Sequence, residues 1–150
     1  MLADLVLAIL HHLAVLALVV LVAVEVMLLR PGLTPKDLGK LVKVDAAYGG
    51  SAMLVIVIGI ARVIWGIKGA DFYLSNPWFW TKMAVFLVIG LLSIPPTIAI
   101  LKWRKALASD ATFLPPEADI ARLRRYAKHE AMLLAIVFAS AAALARYGAF

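Results

Sequence analysis

The sequence of 150 residues contains no cysteine, and only 16% of its residues are charged. The lack of cysteine excludes disulfides, thiol catalysis, iron–sulfur clusters and zinc sites with cysteine ligands. The small charged fraction, with 65% hydrophobic residues and a mean hydropathy of +0.98, excludes a water-soluble globular domain. The sequence also lacks a glycine-rich phosphate loop, a His-Glu-x-x-His pair and the pattern of a serine-based triad.

The chain instead has long apolar runs. Crossing a hydrocarbon core about 30 Å thick takes roughly 20 residues of helix. The runs that meet this length cover about residues 5–29, 46–65, 79–101 and 129–147. We therefore expect an all-α fold, an integral membrane four-helix bundle, with residues 1–150 forming a single transmembrane domain. The first run lacks a preceding basic residue and a cleavage site, so we expect it to be retained as a span.

The charges predict an orientation. The net charge is +6, and the basic residues are concentrated in the first and third connectors. By the positive-inside rule these connectors are cytoplasmic and both termini lie outside. Glu117 and Asp119 follow a proline pair and suit a first helical turn, which predicts a cytoplasmic extension of the last helix. Basic residues in such a protein contact anionic lipid headgroups, so we expect membrane lipids and no nucleic acid as partners.

Prolines and aromatic residues mark the middle of the chain. The connector before the third span is rich in aromatic residues, as in an interfacial belt, and Ser75-Asn76-Pro77 predicts a turn that starts the third helix. Pro95-Pro96 predicts a kink within that helix.

At about 100° per residue, each span offers one polar seam. In the first span the seam contains Asp4, His11 and Glu25, whereas His12 points elsewhere. The other seams contain Tyr48 and Arg62, then Lys82 and Ser93, and finally His129, Ser140 and Tyr147. Because ionisable groups are disfavoured against lipid, we expect the seams to converge in the bundle centre.

The helical rise divides these residues by depth. We expect His11, Arg62, Lys82 and Tyr147 in the outer leaflet, and Glu25, Tyr48, Ser93 and His129 in the inner leaflet. The outer set is cationic and suits an anion such as a propionate, a lipid phosphate or a quinone oxygen. Taken singly, Arg62 and Lys82 are also explained by snorkelling to the headgroups.

His11 has three possible roles. It is a candidate ligand of haem or metal, a proton-relay group or a structural hydrogen-bond donor. His11 and His129 differ by about 20 Å in depth and cannot share one haem. A haem at His11 would have its sixth position open, or taken by His12, by Lys82 or by a residue of another protomer.

The sequence resembles two families of bacterial membrane proteins. The stretches 11–14 (HHLA), 38–49 (LGKLVKVDAAYG) and 68–97 (KGADFYLSNPWFWTKMAVFLVIGLLSIPPT) resemble a widespread, functionally uncharacterised family of small four-span proteins. More distantly, the first-span histidine and Trp80-Thr81-Lys82 are similar to the haem-containing membrane protoporphyrinogen IX oxidase. Thr81 stands where that oxidase family tends to carry a histidine. The resemblance implies roles in haem binding and activity for His11 or His12 and for Lys82.

The leading hypothesis is a small bacterial inner-membrane, multi-pass protein with a redox role that binds b-type haem through His11. The candidate cofactor-binding residues are His11, His12, Arg62, Lys82 and Tyr147. Whether the protein is an enzyme stays open. A second hypothesis is an accessory or assembly subunit of a larger membrane complex, with a membrane protein partner or a second copy of the chain. A third is a proton-coupled exporter that uses Glu25.

Overall fold

The computed structural model describes residues 2–147, and within that range it is helical with no strand. The helices are α1 (Leu2–Leu28), α2 (Pro35–Trp65), α3 (Gly69–Leu74), α4 (Pro77–Ser109) and α5 (Glu117–Arg146). All except α3 are long and apolar enough to cross a membrane, which gives four candidate spans. The predicted all-helical membrane fold is therefore confirmed.

Side-chain caps and prolines determine where α2 and α4 begin. The Thr34 hydroxyl accepts a hydrogen bond of 3.1 Å from the backbone N–H of Asp37, and the Asn76 carboxamide accepts one of 2.9 Å from Trp78. In both helices a proline follows the cap, a position where its missing N–H costs nothing. The turn predicted at Ser75-Asn76-Pro77 is confirmed as the start of the helix that contains the third span.

Several helices are longer than the apolar runs. The second starts at Pro35, well before residue 46, and the last starts at Glu117, well before residue 129. The predicted extension of the last helix is thus present. The helix α4 continues through Pro95 and Pro96 to Ser109. The short helix α3 was not predicted and lies in the aromatic connector.

The four long helices form a closed ring of neighbours. The closest partners are α1 with α2 and α4 with α5, and thinner contacts of α1 with α5 and α2 with α4 complete the ring. The helices α1 and α4 therefore face each other diagonally, as do α2 and α5. At one end, the Asp4 carboxylate accepts a hydrogen bond of 3.2 Å from the N–H of Ile67. At the other end, the Glu117 carboxylate accepts one of 3.2 Å from the N–H of Gly32.

We call these two ends of the bundle the α3 end, where Asp4 contacts Ile67, and the Glu117 end, where Glu117 contacts Gly32. The main aliphatic core lies towards the Glu117 end and includes Leu41, Ile100 and Leu123. A smaller aromatic cluster at the α3 end packs Tyr73 and Phe79 against Leu144. Large apolar side chains cover the outside of the bundle, as expected for a surface in contact with lipid.

The predicted polar seams agree with the structure in three spans and fail in the fourth. His11 and Glu25 face the interior, and so do Tyr48 and Arg62 and the pair Lys82 and Ser93, each buried or half-buried. In the fourth span Ser140 is buried as expected, but His129 is exposed and Tyr147 is 55% exposed.

The error in the fourth span has a physical reason. The buried positions of α5 recur every three or four residues, at 120, 123, 127, 130, 134 and 137. Such spacing keeps one face against its neighbours along the whole helix. Glu130 lies on that face, whereas His129 is rotated by about 100° from it. The fourth span therefore contributes Glu130, not His129, to the interior.

Candidate functional site

A cavity of about 250 Å³ lies in the half of the bundle nearest the α3 end. Residues from α1, α2, α4 and α5 form its walls, which are mostly aliphatic and aromatic. Three basic side chains reach it, His11 from α1, Arg62 from α2 and Lys82 from α4. We call it the histidine cavity. An apolar pocket with a few converging polar groups is the usual form of a small-molecule site.

A glycine makes room for the imidazole in this cavity. A Cβ placed on Gly59 of α2 would lie 3.4 Å from Cε1 and 3.8 Å from Nδ1 of His11. The imidazole therefore packs directly against the backbone of α2, with no side chain between them. Gly59 and Arg62 are three residues apart, so both lie on the helix face that lines the cavity.

Two buried nitrogen atoms of the cavity have no hydrogen-bond partner among the described residues 2–147. These are Nδ1 of His11 and Nε of Arg62. Buried polar atoms in folded proteins are nearly always paired, so an unpaired one calls for an explanation such as a bound molecule. Both atoms belong to side chains that line the same cavity, and one ligand with acceptor groups would satisfy them together.

Arg62 and Lys82 form no ion pair with any residue in the range 2–147. The three ion pairs of that range join Asp37 to Arg30 and to Lys40, and Asp119 to Arg122. The positive charges of Arg62 and Lys82 repel each other, and both lie close enough to His11 to interact with its imidazole. Lys82 has one favourable contact, its Nζ lying 5.6 Å from the centre of the Phe79 ring. This charge distribution favours an anionic group in the cavity.

The cavity opens sideways between α2 and α4. Among its lining residues, Ile60 and Ile64 of α2 are 54% and 58% exposed, and Met83 of α4 is 41% exposed. Residues that line a cavity and also form the lipid-facing surface mark an entrance from the bilayer. The seam between α2 and α4 is also one of the thinner contacts of the bundle. An amphipathic molecule dissolved in lipid therefore has direct access.

Three of the five predicted cofactor-binding residues line the cavity, and two do not. His12 is exposed on the outside of α1, and its Nδ1 forms a hydrogen bond of 2.6 Å with the carbonyl oxygen of Ala8. Tyr147 follows the end of α5 and is exposed. Neither residue lines the cavity. The outward position of His12 agrees with the predicted polar seam of the first span, whereas Tyr147 was expected in the outer cationic set and lies outside it. His12 differs from His11 by one helical position, which rotates it away from the interior.

A second polar group lies nearer the Glu117 end and was largely missed by the sequence analysis. It consists of three acidic side chains, Glu25 of α1, Asp45 of α2 and Glu130 of α5, all of them buried. Two hydroxyl groups donate hydrogen bonds to these acidic groups. Tyr48 donates one of 2.7 Å to Glu130, and Thr97 donates one of 2.8 Å to Asp45. We call these five residues the carboxylate cluster.

The sequence contained a usable signal for part of this cluster. Asp45 precedes Tyr48 by three residues and therefore shares its helix face. Glu130 shares the face of Ala127 and Leu134 in the same way. Thr97 had no comparable signal, since it follows two prolines that made the helical register there uncertain. No group of three or more histidine, aspartate or glutamate side chains within residues 2–147 is arranged to hold a metal ion.

The fold and these two sites define a multi-pass helical membrane protein with a basic cavity towards one end and a buried acidic cluster towards the other. The chain belongs to the family described as Predicted membrane protein (DUF2214), whose model matches residues 3–148. That description gives no activity. No curated protein and no solved structure matches the chain significantly, so the similarity to the haem-containing oxidase has no counterpart among these findings.

Proposed function

We propose that this membrane protein binds an amphipathic molecule with acidic groups in the histidine cavity, and that this molecule is b-type haem. The observation that carries the proposal is the pairing of an unsatisfied His11 nitrogen with two cations that lack counter-ions. A haem has an iron that takes an imidazole ligand, two carboxylates and an apolar ring. The donor chemistry of the cavity fits each of these parts.

Each residue of the cavity has a distinct task in this proposal. His11 holds the iron. Arg62 and Lys82 hold the carboxylates through charge-assisted hydrogen bonds, which are stronger than neutral ones. Apolar side chains such as Val55 and Phe86 contact the ring and exclude water. Bound haem supplies one-electron chemistry, and this is the basis of the predicted redox role.

The lateral opening bears on how the ligand is held. The cavity volume of about 250 Å³ lies just below the range of about 300–1,000 Å³ typical of enclosed ligand sites. The bound molecule would therefore extend into the opening between α2 and α4, where part of its surface contacts lipid. His12, the other histidine of α1, points outwards and does not line this cavity.

The basic connectors support a location in the bacterial inner membrane with the α3 end outside. Lys102, Arg104 and Lys105 lie in the last turns of α4 at the Glu117 end, and the basic first turns of α2 lie at that end too. Positive charge of this kind marks the cytoplasmic side of a membrane protein. In this orientation the histidine cavity lies in the outer half of the membrane.

The test is an absorption spectrum of the full-length protein purified in mild detergent from haem-replete cells, oxidised and reduced. We expect a Soret band with about one haem per protein, since one histidine, His11, lines the cavity. His11→Ala should lose the band. His12→Ala is the matched control, because it removes an imidazole from the adjacent, outward-facing position, and it should keep the band.

Other outcomes would decide against haem. Equal retention in both variants would remove His11 as the ligand. A colourless native protein that purifies with a stoichiometric membrane partner would favour the accessory-subunit hypothesis. A colourless protein without a partner would leave the cavity to a different acidic amphiphile, which mass spectrometry of extracted ligands would identify.

A further inference from the structure

The carboxylate cluster contains three acidic side chains that form no ion pair with any basic side chain of residues 2–147. Glu25, Asp45 and Glu130 are only 3%, 7% and 3% exposed. None of them forms an ion pair with another residue of the described range 2–147. Ionised carboxylates inside a membrane bundle are costly unless they are paired or neutralised. The cluster therefore needs a bound positive charge.

Within the described range 2–147, Glu25 is the acidic member of the cluster that has no hydrogen-bond or ion-pair partner. The hydroxyl of Thr97 satisfies one oxygen of Asp45, and the hydroxyl of Tyr48 satisfies one oxygen of Glu130. Glu25 has no hydrogen bond and no ion pair to any residue in the range 2–147, although its side chain is almost completely buried. Its charge interacts with those of Asp45 and Glu130, so it faces the same interior space.

Helix directions bring these side chains together. A helical Cα–Cβ bond tilts towards the helix N-terminus. The N-terminus of α1 lies at the α3 end, so Glu25 leans away from the Glu117 end. The helices α2 and α5 run the opposite way, so Asp45 and Glu130 lean towards Glu25. The three carboxyl groups therefore converge although their positions along the helices differ.

The geometry favours a proton over a metal ion as the bound charge. The three carboxyl groups are not arranged as metal ligands. Metal ions such as Ca²⁺ take six or more oxygen ligands at similar distances, whereas a proton needs one carboxylate oxygen and at most one acceptor. The hydroxyl hydrogen bonds also use one lone pair each on Asp45 and Glu130, which leaves fewer lone pairs for a metal.

We propose that the carboxylate cluster is a proton-binding site, at which Glu25, Asp45 and Glu130 share bound protons and exchange them with water at the Glu117 end. In the exchange a proton passes from hydronium to a carboxylate oxygen and later returns to water, with no change of oxidation state. Three acidic groups face the site from α1, α2 and α5, together with the phenol of Tyr48, and α4 contributes the hydroxyl of Thr97. The protein thereby has a proton-accepting group in its interior, as proton-coupled membrane proteins require.

The distances make exchange from the Glu117 end the short route. Asp45 lies about 15 Å along α2 from its first residue, and Glu25 lies about one helical turn from the last residue of α1. Towards the α3 end, α2 continues from Asp45 to Trp65 and α1 from Glu25 back to Leu2, so that route is longer. By distance, the shorter route for proton exchange leads to the end that the basic connectors assign to the cytoplasm.

The proposal is tested by infrared spectroscopy of the full-length protein in lipid bilayers. We expect the carbonyl stretch of a protonated carboxyl group at neutral pH, and a shift of this band when H2O is replaced by D2O. This part of the test uses the native protein and does not depend on any variant folding. Absence of the band at neutral pH would overturn the proposal. So would a band that appears only after Na⁺ and K⁺ are removed, since it would identify a monovalent-cation site.

Variants assign the band to the cluster. Glu25→Gln should remove or shift it, and this change is the mildest available because Glu25 has no hydrogen-bond partner to lose. Asp45→Asn and Glu130→Gln should each shift it. Glu117→Gln is the matched control, an exposed glutamate at the same end of the bundle, and should leave it unchanged. A band that survives unaltered in all three cluster variants would contradict the proposal. None of these measurements requires haem, so they are independent of the outcome at the histidine cavity.

Discussion

The hydroxyl of Tyr48 donates a hydrogen bond of 2.7 Å to Oε2 of Glu130, which lies 82 positions further along the chain. The bond joins α2 to α5, two helices that face each other diagonally and have no close backbone contact. It therefore crosses the interior of the bundle. A buried bond to a carboxyl group across such a gap ties the two helix pairs together at one depth.

Loss of this bond should destabilise the protein. Tyr48→Phe keeps the ring but leaves a buried carboxyl group without its donor. We expect the free energy of unfolding to fall by about 1–3 kcal/mol. Thermal or denaturant unfolding in detergent, followed by circular dichroism, measures it. Tyr147→Phe is the control, because that ring is 55% exposed. Equal stability of both variants would show that the bond contributes nothing.

Binding of metal-free protoporphyrin distinguishes the role of His11 from the roles of Arg62 and Lys82. This porphyrin carries the carboxylates of haem but no iron. Arg62→Gln and Lys82→Gln should each weaken binding of haem and of metal-free protoporphyrin by roughly 10- to 100-fold, since each removes one charged hydrogen bond. His11→Ala should weaken binding of haem alone. Fluorescence and absorption titrations give the dissociation constants.

The control for the two cations is Lys68→Gln. Lys68 is exposed, its Nζ lies 4.3 Å from the centre of the Phe72 ring, and it does not line the cavity. We expect the Lys68→Gln protein to bind haem and metal-free protoporphyrin with the same affinities as the native protein. If Lys68→Gln weakens binding as much as Arg62→Gln, the weaker binding results from a loss of general surface charge and not from a loss of contacts in the cavity.

The space left by Gly59 should be required for ligand binding. Leucine at this position would extend from a point 3.4 Å from the His11 ring into the cavity. We therefore expect Gly59→Leu to abolish haem binding while the protein still inserts into the membrane. Gly90→Leu is the matched control, because a Cβ on Gly90 meets nothing within 4 Å. The haem-to-protein ratio of the purified variants is the measurement, and full binding by Gly59→Leu would contradict the proposed site.

The cap of α4 should contribute to stability. Asn76 is completely buried, and its carboxamide accepts a hydrogen bond from the N–H of Trp78. Asn76→Ala removes this acceptor at the start of a span, and we expect a loss of about 0.5–2 kcal/mol in the free energy of unfolding. Ser75→Ala is the control, since the Ser75 hydroxyl is exposed and bonds only within α3 and its cap, to the carbonyl oxygen of Asp71. Unfolding of both variants in the same detergent tests the difference.

The fold could be predicted further than the sites. Apolar runs of the right length identify membrane spans because the bilayer imposes one length and one backbone structure. The cap signals of α4 are local, so Asn76 and Pro77 predicted its start correctly. The extra length of α2 was missed because residues 35–45 are helical but too polar to count as part of a span.

The site was predicted correctly where one ionisable residue within an apolar span indicated which face of the helix points inwards. His11, Arg62 and Lys82 were each placed on an inward face, and they line one cavity. The prediction failed for Tyr147, which lies beyond the last turn of α5, where helical periodicity no longer applies. It also failed for His129, because the spacing that linked it to Ser140 competes with the three-and-four spacing that packs α5 against its neighbours.

Composition and periodicity by themselves determined that this protein crosses a membrane with four helices and that each helix carries polar groups on one face. These properties depend on residues close together in the chain and on the properties of lipid. Only the tertiary structure decided which polar groups meet. Glu25, Asp45 and Glu130 come from three helices, and their meeting depends on how far each helix is rotated and shifted against the others. Side-chain packing between the helices sets that rotation, and no single helix contains this information.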